Sequence, residues 1–103
     1  MTVSKKTDDL LSNVRILVVD DDHLLRSVLL EQLGFEGVKY LAEAATAAHV
    51  FTQIDASMPD LILLDVQLPD GNGFEICARL RQSGFDKPIL MLTGQDDESD
   101  IIK

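Results

Sequence analysis

Short apolar runs alternate with helix-spaced apolar stripes along this chain. The runs are Val14 to Val19, Val38 to Leu41, Leu61 to Leu64 and Pro88 to Leu92, the first two each interrupted by one cation. Runs of this length suit strands buried on both faces of a parallel sheet. Between the first two, Leu24, Leu25, Val28, Leu29 and Leu33 recur at helical spacing, with Asp22 as N-cap and Gly34 as stop. A second helix is predicted over Thr46 to Ile54, where alanines supply propensity and Val50 a packing face. Ser57-Met58-Pro59-Asp60 ends it. Phe74, Ile76, Cys77 and Leu80 predict a third helix that stops near Ser83-Gly84. The acidic stretch Gln95 to Asp100, followed by Ile101-Ile102, reads as the start of a fourth. Residues 1–12 are mostly polar and read as an N-terminal tail, with a short helical turn at Asp8-Asp9-Leu10-Leu11. Residues 13–103 form the folded unit. Strand and helix alternate throughout, so the expected fold is α/β, a doubly wound parallel sheet with right-handed crossovers and helices on both faces.

The composition narrows the function classes. A chain of 103 residues builds one domain around one core, and 46 % hydrophobic residues argue against disorder. The net charge of -9 argues against direct contact with nucleic acid or an anionic membrane. It suits a site that holds cations, and equally suits plain solubility. Cys77 is the single cysteine, so no intrachain disulfide forms and a reducing, cytoplasmic setting is expected. No apolar run reaches the roughly 18 to 20 residues that span a bilayer.

The chemistry is expected where the runs end. In a parallel sheet all strands present their carboxyl ends at one edge. Asp20-Asp21, Asp65 and Thr93 each follow a run directly, so the topology gathers them there. With strand order 2-1-3-4, the first and third strands are neighbours and the order reverses between them, which marks the ligand crevice. Neighbouring strands lie about 4.8 Å apart, so these acids crowd. Crowded carboxylates resist ionisation unless a cation sits among them. Mg²⁺ accepts one or two carboxylates together with water and phosphate oxygens. A carboxylate held this way can attack phosphorus and become an aspartyl phosphate, and a Thr93 hydroxyl can serve one phosphoryl oxygen. The plain alternatives are that Asp65 caps a turn and that Asp20, Asp21 and Asp22 cap a helix. His23 and His49 lack companions at metal-ligand spacing and read as helix-surface residues. Cys77, Phe74 and the methionines read as packing residues, and Asp96-Asp97-Glu98 as first-turn acids that suit a helix dipole.

Three motifs then resemble the receiver domain of bacterial two-component response regulators: Ile16-Leu17-Val18-Val19-Asp20-Asp21-Asp22, Leu63-Leu64-Asp65-Val66-Gln67-Leu68-Pro69-Asp70-Gly71-Asn72-Gly73, and Pro88-Ile89-Leu90-Met91-Leu92-Thr93-Gly94. Their order and spacing agree with that family from about Val14 onward. The resemblance implies a flavodoxin-like fold and a set of roles. Asp65 matches the phosphoacceptor. Asp20 and Asp21 match the acidic pair that holds Mg²⁺, with Asp21 the direct ligand. Gln67 matches the position whose backbone carbonyl completes the metal site. Thr93 matches the hydroxyl that swings toward the phosphoryl group, and Gly94 leaves access to it. The implied donor is a phosphohistidine on a sensor histidine kinase or phosphotransfer protein. The implied activity is self-phosphorylation and self-dephosphorylation, not conventional enzyme turnover.

One departure from the family pattern is marked. Receivers carry a lysine at the end of a fifth strand and then a fifth helix, and the sequence to Lys103 has neither. Lys103 falls in the helical pattern after Thr93, and Lys87-Pro88 precedes a strand, at the opposite edge. The sequence therefore reads as a receiver truncated before its fifth strand and helix. Without that strand, Pro88 to Leu92 is expected to be a bare apolar edge and a pairing site, giving a homo-oligomer. A competing reading follows: a phosphorylation-incompetent receiver fragment that acts as an interaction module. An aspartyl phosphatase is disfavoured, because such enzymes need a second acid where Gln67 stands.

Overall fold

The computed structural model describes residues 11–92 and 101–102. Its elements follow in chain order: β1 (Arg15–Val19), α1 (His23–Phe35), β2 (Tyr40–Ala44), α2 (Ala47–Ala56), β3 (Leu61–Asp65), β4 (Gln67–Leu68), β5 (Gly71–Asn72), α3 (Gly73–Gln82), β6 (Ile89–Leu92) and β7 (Ile101–Ile102). The main sheet runs β2-β1-β3-β6-β7. Its first four strands are parallel, in the expected 2-1-3-4 order, with Val19 beside Leu64 and Asp65 beside Leu92.

Side chains alternate across this sheet as strand geometry requires. Leu17, Val19, Ile62, Leu64, Ile89 and Met91 point to one face and pack with Val50 of α2 and Ile76, Cys77 and Leu80 of α3. Ile16, Val18 and Leu63 point to the other, where Leu29, Leu30 and Leu33 of α1 cover them together with Leu11 and Val14. Cys77 is a buried packing residue, as expected, whereas Phe74 lies 45 % exposed. His23 and His49 are exposed, with no metal-ligand companions among the described residues.

The helix starts follow the sequence. Asp22 accepts from the Leu25 N–H, Thr46 from His49 and Asn72 from Phe74, each a side-chain cap. The first helix does not stop at Gly34. It runs on to Phe35, and Gly37, at φ 105, makes the left-handed turn. Val38 then donates its N–H to the Leu33 carbonyl and closes the helix end. That residue is spent on the helix, so β2 begins two positions later than expected and extends to Ala44.

The largest correction concerns the end of the described chain. The fourth helix read from Gln95 onward does not reach Ile101 and Ile102, which form a strand antiparallel to β6 and pair with Leu90 and Ile89. β-branched residues favour that state, and the free backbone groups of β6 supply the partner. The edge of β6 is therefore not bare at Ile89 and Leu90, and the premise for association through it is removed there. Residues 93–100, with the remaining part of the expected helix and Asp96-Asp97-Glu98, lie outside the described residues, as do Asp8 to Leu10.

Candidate functional site

The turn after β1 sorts three consecutive acids into three tasks. Asp20 is 3 % exposed, the one buried charged residue among those described. Its Oδ1 accepts from the Asp22 N–H at 2.9 Å and its own N–H donates to the Ala44 carbonyl, so the turn is pinned from both sides. Asp22 is spent on capping α1. Asp21, between them, is exposed and free to face outward.

Arg26, one turn into α1, reaches back to this turn. Its Nη1 donates to the Asp20 carbonyl at 2.7 Å and its Nε pairs with Glu43 at 2.6 Å. Neither Arg26 nor Glu43 stands out in the sequence. The one available signal is that Arg26 sits four residues after the N-cap, on the helix turn facing the strand end.

Asp65 closes β3 on the neighbouring strand. One carboxylate oxygen from each of Asp20, Asp21 and Asp65 lies within 4.8 Å of the others. Side chains 45 residues apart in sequence thus converge on one point, alongside the turn and cap bonds that Asp65, Asp20 and Asp22 make. Burial and the adjacent Asp20 carboxylate push Asp65 up to about 6, while the Gln67 N–H opposes the rise. A cation held among these carboxylates would oppose the rise. The donor set is all oxygen, which fits a hard divalent ion such as Mg²⁺. Gln67 opens the short hairpin that follows, and its N–H approaches Asp65 Oδ1 at 3.4 Å. Thr93 and Gly94 lie outside the described residues. Lys87, before β6, sits at the opposite sheet edge, since the carboxyl end of β6 is the end beside Asp65.

Glycine makes the turn after Asp65 possible. A Cβ on Gly73 would meet the Asp65 carbonyl oxygen at 2.5 Å and the Val66 Cα at 3.0 Å. The Gly73 N–H donates to the Val66 carbonyl at 2.6 Å, so α3 starts directly against the turn that presents Asp65.

A family model described as the response regulator receiver domain matches residues 16–103. The chain belongs to this family. The receiver is 43 % identical over 89 residues to the response regulator MprA of Mycobacterium ulcerans, covering 85 % of this chain and 38 % of the relative. It therefore spans little more than a third of the curated relatives it matches. Among solved structures it resembles the non-phosphorylated HemR receiver domain of Leptospira biflexa, with 34 % identity and TM-score 0.73, over 84 % of this chain and 68 % of that one. It also resembles the MaeR response regulator bound to beryllium trifluoride, with 25 % identity and TM-score 0.76, over 82 % and 70 %. The receiver of the Arabidopsis thaliana histidine kinase CKI1, complexed with Mg²⁺ and BeF₃⁻, matches at TM-score 0.69 and 25 % identity, over 90 % and 74 %. Among the described residues no helix of the receiver is long and apolar enough to cross a membrane.

Proposed function

We propose that this receiver is a phosphoacceptor: a phosphohistidine on a sensor histidine kinase or phosphotransfer protein donates its phosphoryl group to Asp65. One observation carries the reading, the approach of Asp20, Asp21 and Asp65 within 4.8 Å at the carboxyl edge of the sheet. Asp20, Asp21, Asp65 and the backbone carbonyl of Gln67 would hold Mg²⁺. Bound there, Mg²⁺ supplies positive charge against the phosphoryl oxygens and keeps Asp65 ionised. In the transfer an Asp65 carboxylate oxygen forms the new bond to phosphorus while the phosphorus–nitrogen bond of the donor breaks and imidazole leaves. Asp20, pinned by the Asp22 N–H, fixes the floor of the site. Thr93 is assigned the hydroxyl that meets a phosphoryl oxygen, and Gly94 the open approach.

The reading is tested with beryllofluoride, which mimics an acyl phosphate. In the presence of Mg²⁺ it should raise the melting temperature of the wild-type chain and shift the amide resonances of residues 65–68. Asp65→Asn should show neither effect. A wild-type chain that takes up no beryllofluoride in Mg²⁺ overturns the phosphoacceptor reading and favours an interaction module.

A further inference from the structure

Asp70 stands at the tip of the β4–β5 hairpin, on the loop that follows the acceptor. Its carboxylate reaches α2. Oδ1 accepts from the Ala47 N–H at 2.7 Å and Oδ2 from the Ala48 N–H at 3.2 Å. These are charge-assisted bonds to the open first turn of a helix, which also presents the positive end of its dipole. Thr46 caps the helix locally by accepting from His49, and Asp70 takes the two N–H groups this leaves open, at Ala47 and Ala48. The second cap arrives from 23 residues away and ties a loop to a helix.

The approach is close at the next residue as well. A Cβ on Gly71 would come within 3.2 Å of the Ala47 Cβ, so the hairpin lies directly on the start of α2. At its base the same loop is closed by the 2.6 Å bond from the Gly73 N–H to the Val66 carbonyl. The segment carrying Asp65 and Gln67 is thus fastened at both ends, to α3 by backbone and to α2 by Asp70.

We infer that Asp70 is a positioning residue: it holds the acceptor loop against α2 so that Asp65 and Gln67 keep their places beside Asp20 and Asp21, and it couples occupation of that site to the first turn of α2. The consequence for metal binding rests on the phosphoacceptor reading; the mechanical tie does not. Coupling of this kind is reciprocal. An ion that orders the loop must also tighten the Ala47 and Ala48 bonds.

The test compares the full chain with Asp70→Ala and Asp70→Asn. It measures Mg²⁺ affinity by titration of amide resonances, amide hydrogen exchange, and the melting temperature. Asp70→Ala should weaken Mg²⁺ binding by about tenfold, the lower end of what outer partners of metal ligands deliver. It should also speed exchange at Ala47 and Ala48. Asp70→Asn, an equally good cap, should restore most of both. Mg²⁺ should slow exchange at Ala47 and Ala48 in the wild type and lose that effect in Asp70→Ala. A variant that lowers the melting temperature yet leaves Mg²⁺ affinity and the Mg²⁺ response of those amides intact reduces Asp70 to a structural cap and overturns the inference. The two readings separate cleanly. If the wild type binds Mg²⁺ but no beryllofluoride, the phosphoacceptor reading fails and this test proceeds unchanged. If it binds no Mg²⁺, exchange at residues 66–68 decides: faster in Asp70→Ala supports the tie, unchanged refutes it.

Discussion

Leu63 and Leu64 are neighbours in β3 and meet different surroundings. Leu64 is fully buried in a cluster that both α2 and α3 complete, to which α2 contributes Ala47 and Val50 and α3 contributes Ile76, Cys77 and Leu80. Leu63 belongs to the smaller cluster beneath α1. That helix buries none of its own residues fully, and it leaves Leu24 73 % exposed and Phe35 78 % exposed. The sheet is therefore packed densely on one face and thinly on the other. The loop after Asp65 is fastened to the dense face, through Gly73 at α3 and Asp70 at α2. The acid pair is held from the thin face, through Asp22 and Arg26 of α1. The Asp65 loop is thus tied to two well-buried helices, and the Asp20 turn to a helix that buries none of its residues fully.

The sharpest way to break this comparison is to empty each face in turn. Leu64→Ala should cost about 3–4 kcal/mol, because its surroundings cannot collapse into the space. Leu30→Ala, in a partly buried position on α1, should cost about 1 kcal/mol. Urea unfolding measures both. Equal costs would show that the two faces contribute alike and remove the contrast.

A smaller effect separates Asp65 from its neighbours by pH. Asp65 rises to about 6 in the folded chain, from an ordinary value of 3.8. The folded protein thus keeps a proton that the unfolded chain releases between those values. The stabilisation is fully present below the unfolded value and is lost as pH rises through about 6. Two outcomes follow. Without metal, Asp65→Asn should stabilise the chain at pH 7.5 and have little effect at pH 4. Mg²⁺ must displace the proton, so its affinity should fall about tenfold from pH 7.5 to pH 5, where about one site in ten is ionised. A pH-independent Mg²⁺ affinity would place the ion away from Asp65.

Much of this was legible in the residue pattern, for reasons that particular positions make plain. Ile62, Leu63 and Leu64 bury completely or nearly so, and only a central parallel strand buries consecutive residues on both faces. The convergence of Asp20, Asp21 and Asp65 follows from strand order alone, because the side chains at strand tips inherit the sheet's geometry. What escaped notice depends on contacts between elements. Asp70 reads as a turn residue until α2 is placed beside it, and Arg26 as a surface cation until β1 is. Ile101 and Ile102 fit either state by local preference; pairing with β6 decided it. Val38 belonged by composition to a strand, but the helix end claimed its N–H.

The smallest expected effect is the most informative about the thin face. Leu24 is 73 % exposed, and Leu25 and Val28 are 44 % and 45 % exposed. These three lie one helical turn apart or less, so they present a continuous apolar stripe to solvent. A side chain already in water gains little from folding, and its replacement should change stability by no more than about 0.5 kcal/mol. Leu24→Gln should therefore leave the unfolding midpoint in place, and Leu24→Gln with Val28→Gln should nearly do so. Sedimentation supplies the second measurement, since a stripe of this kind favours association at high concentration. If the double variant costs more than about 2 kcal/mol, in the range of burying an apolar side chain, while sedimentation shows a monomer, the stripe is covered within the chain and the α1 face is as well packed as the other. The asymmetry between the faces would then disappear, and with it the contrast between the helices that tie down the two halves of the site.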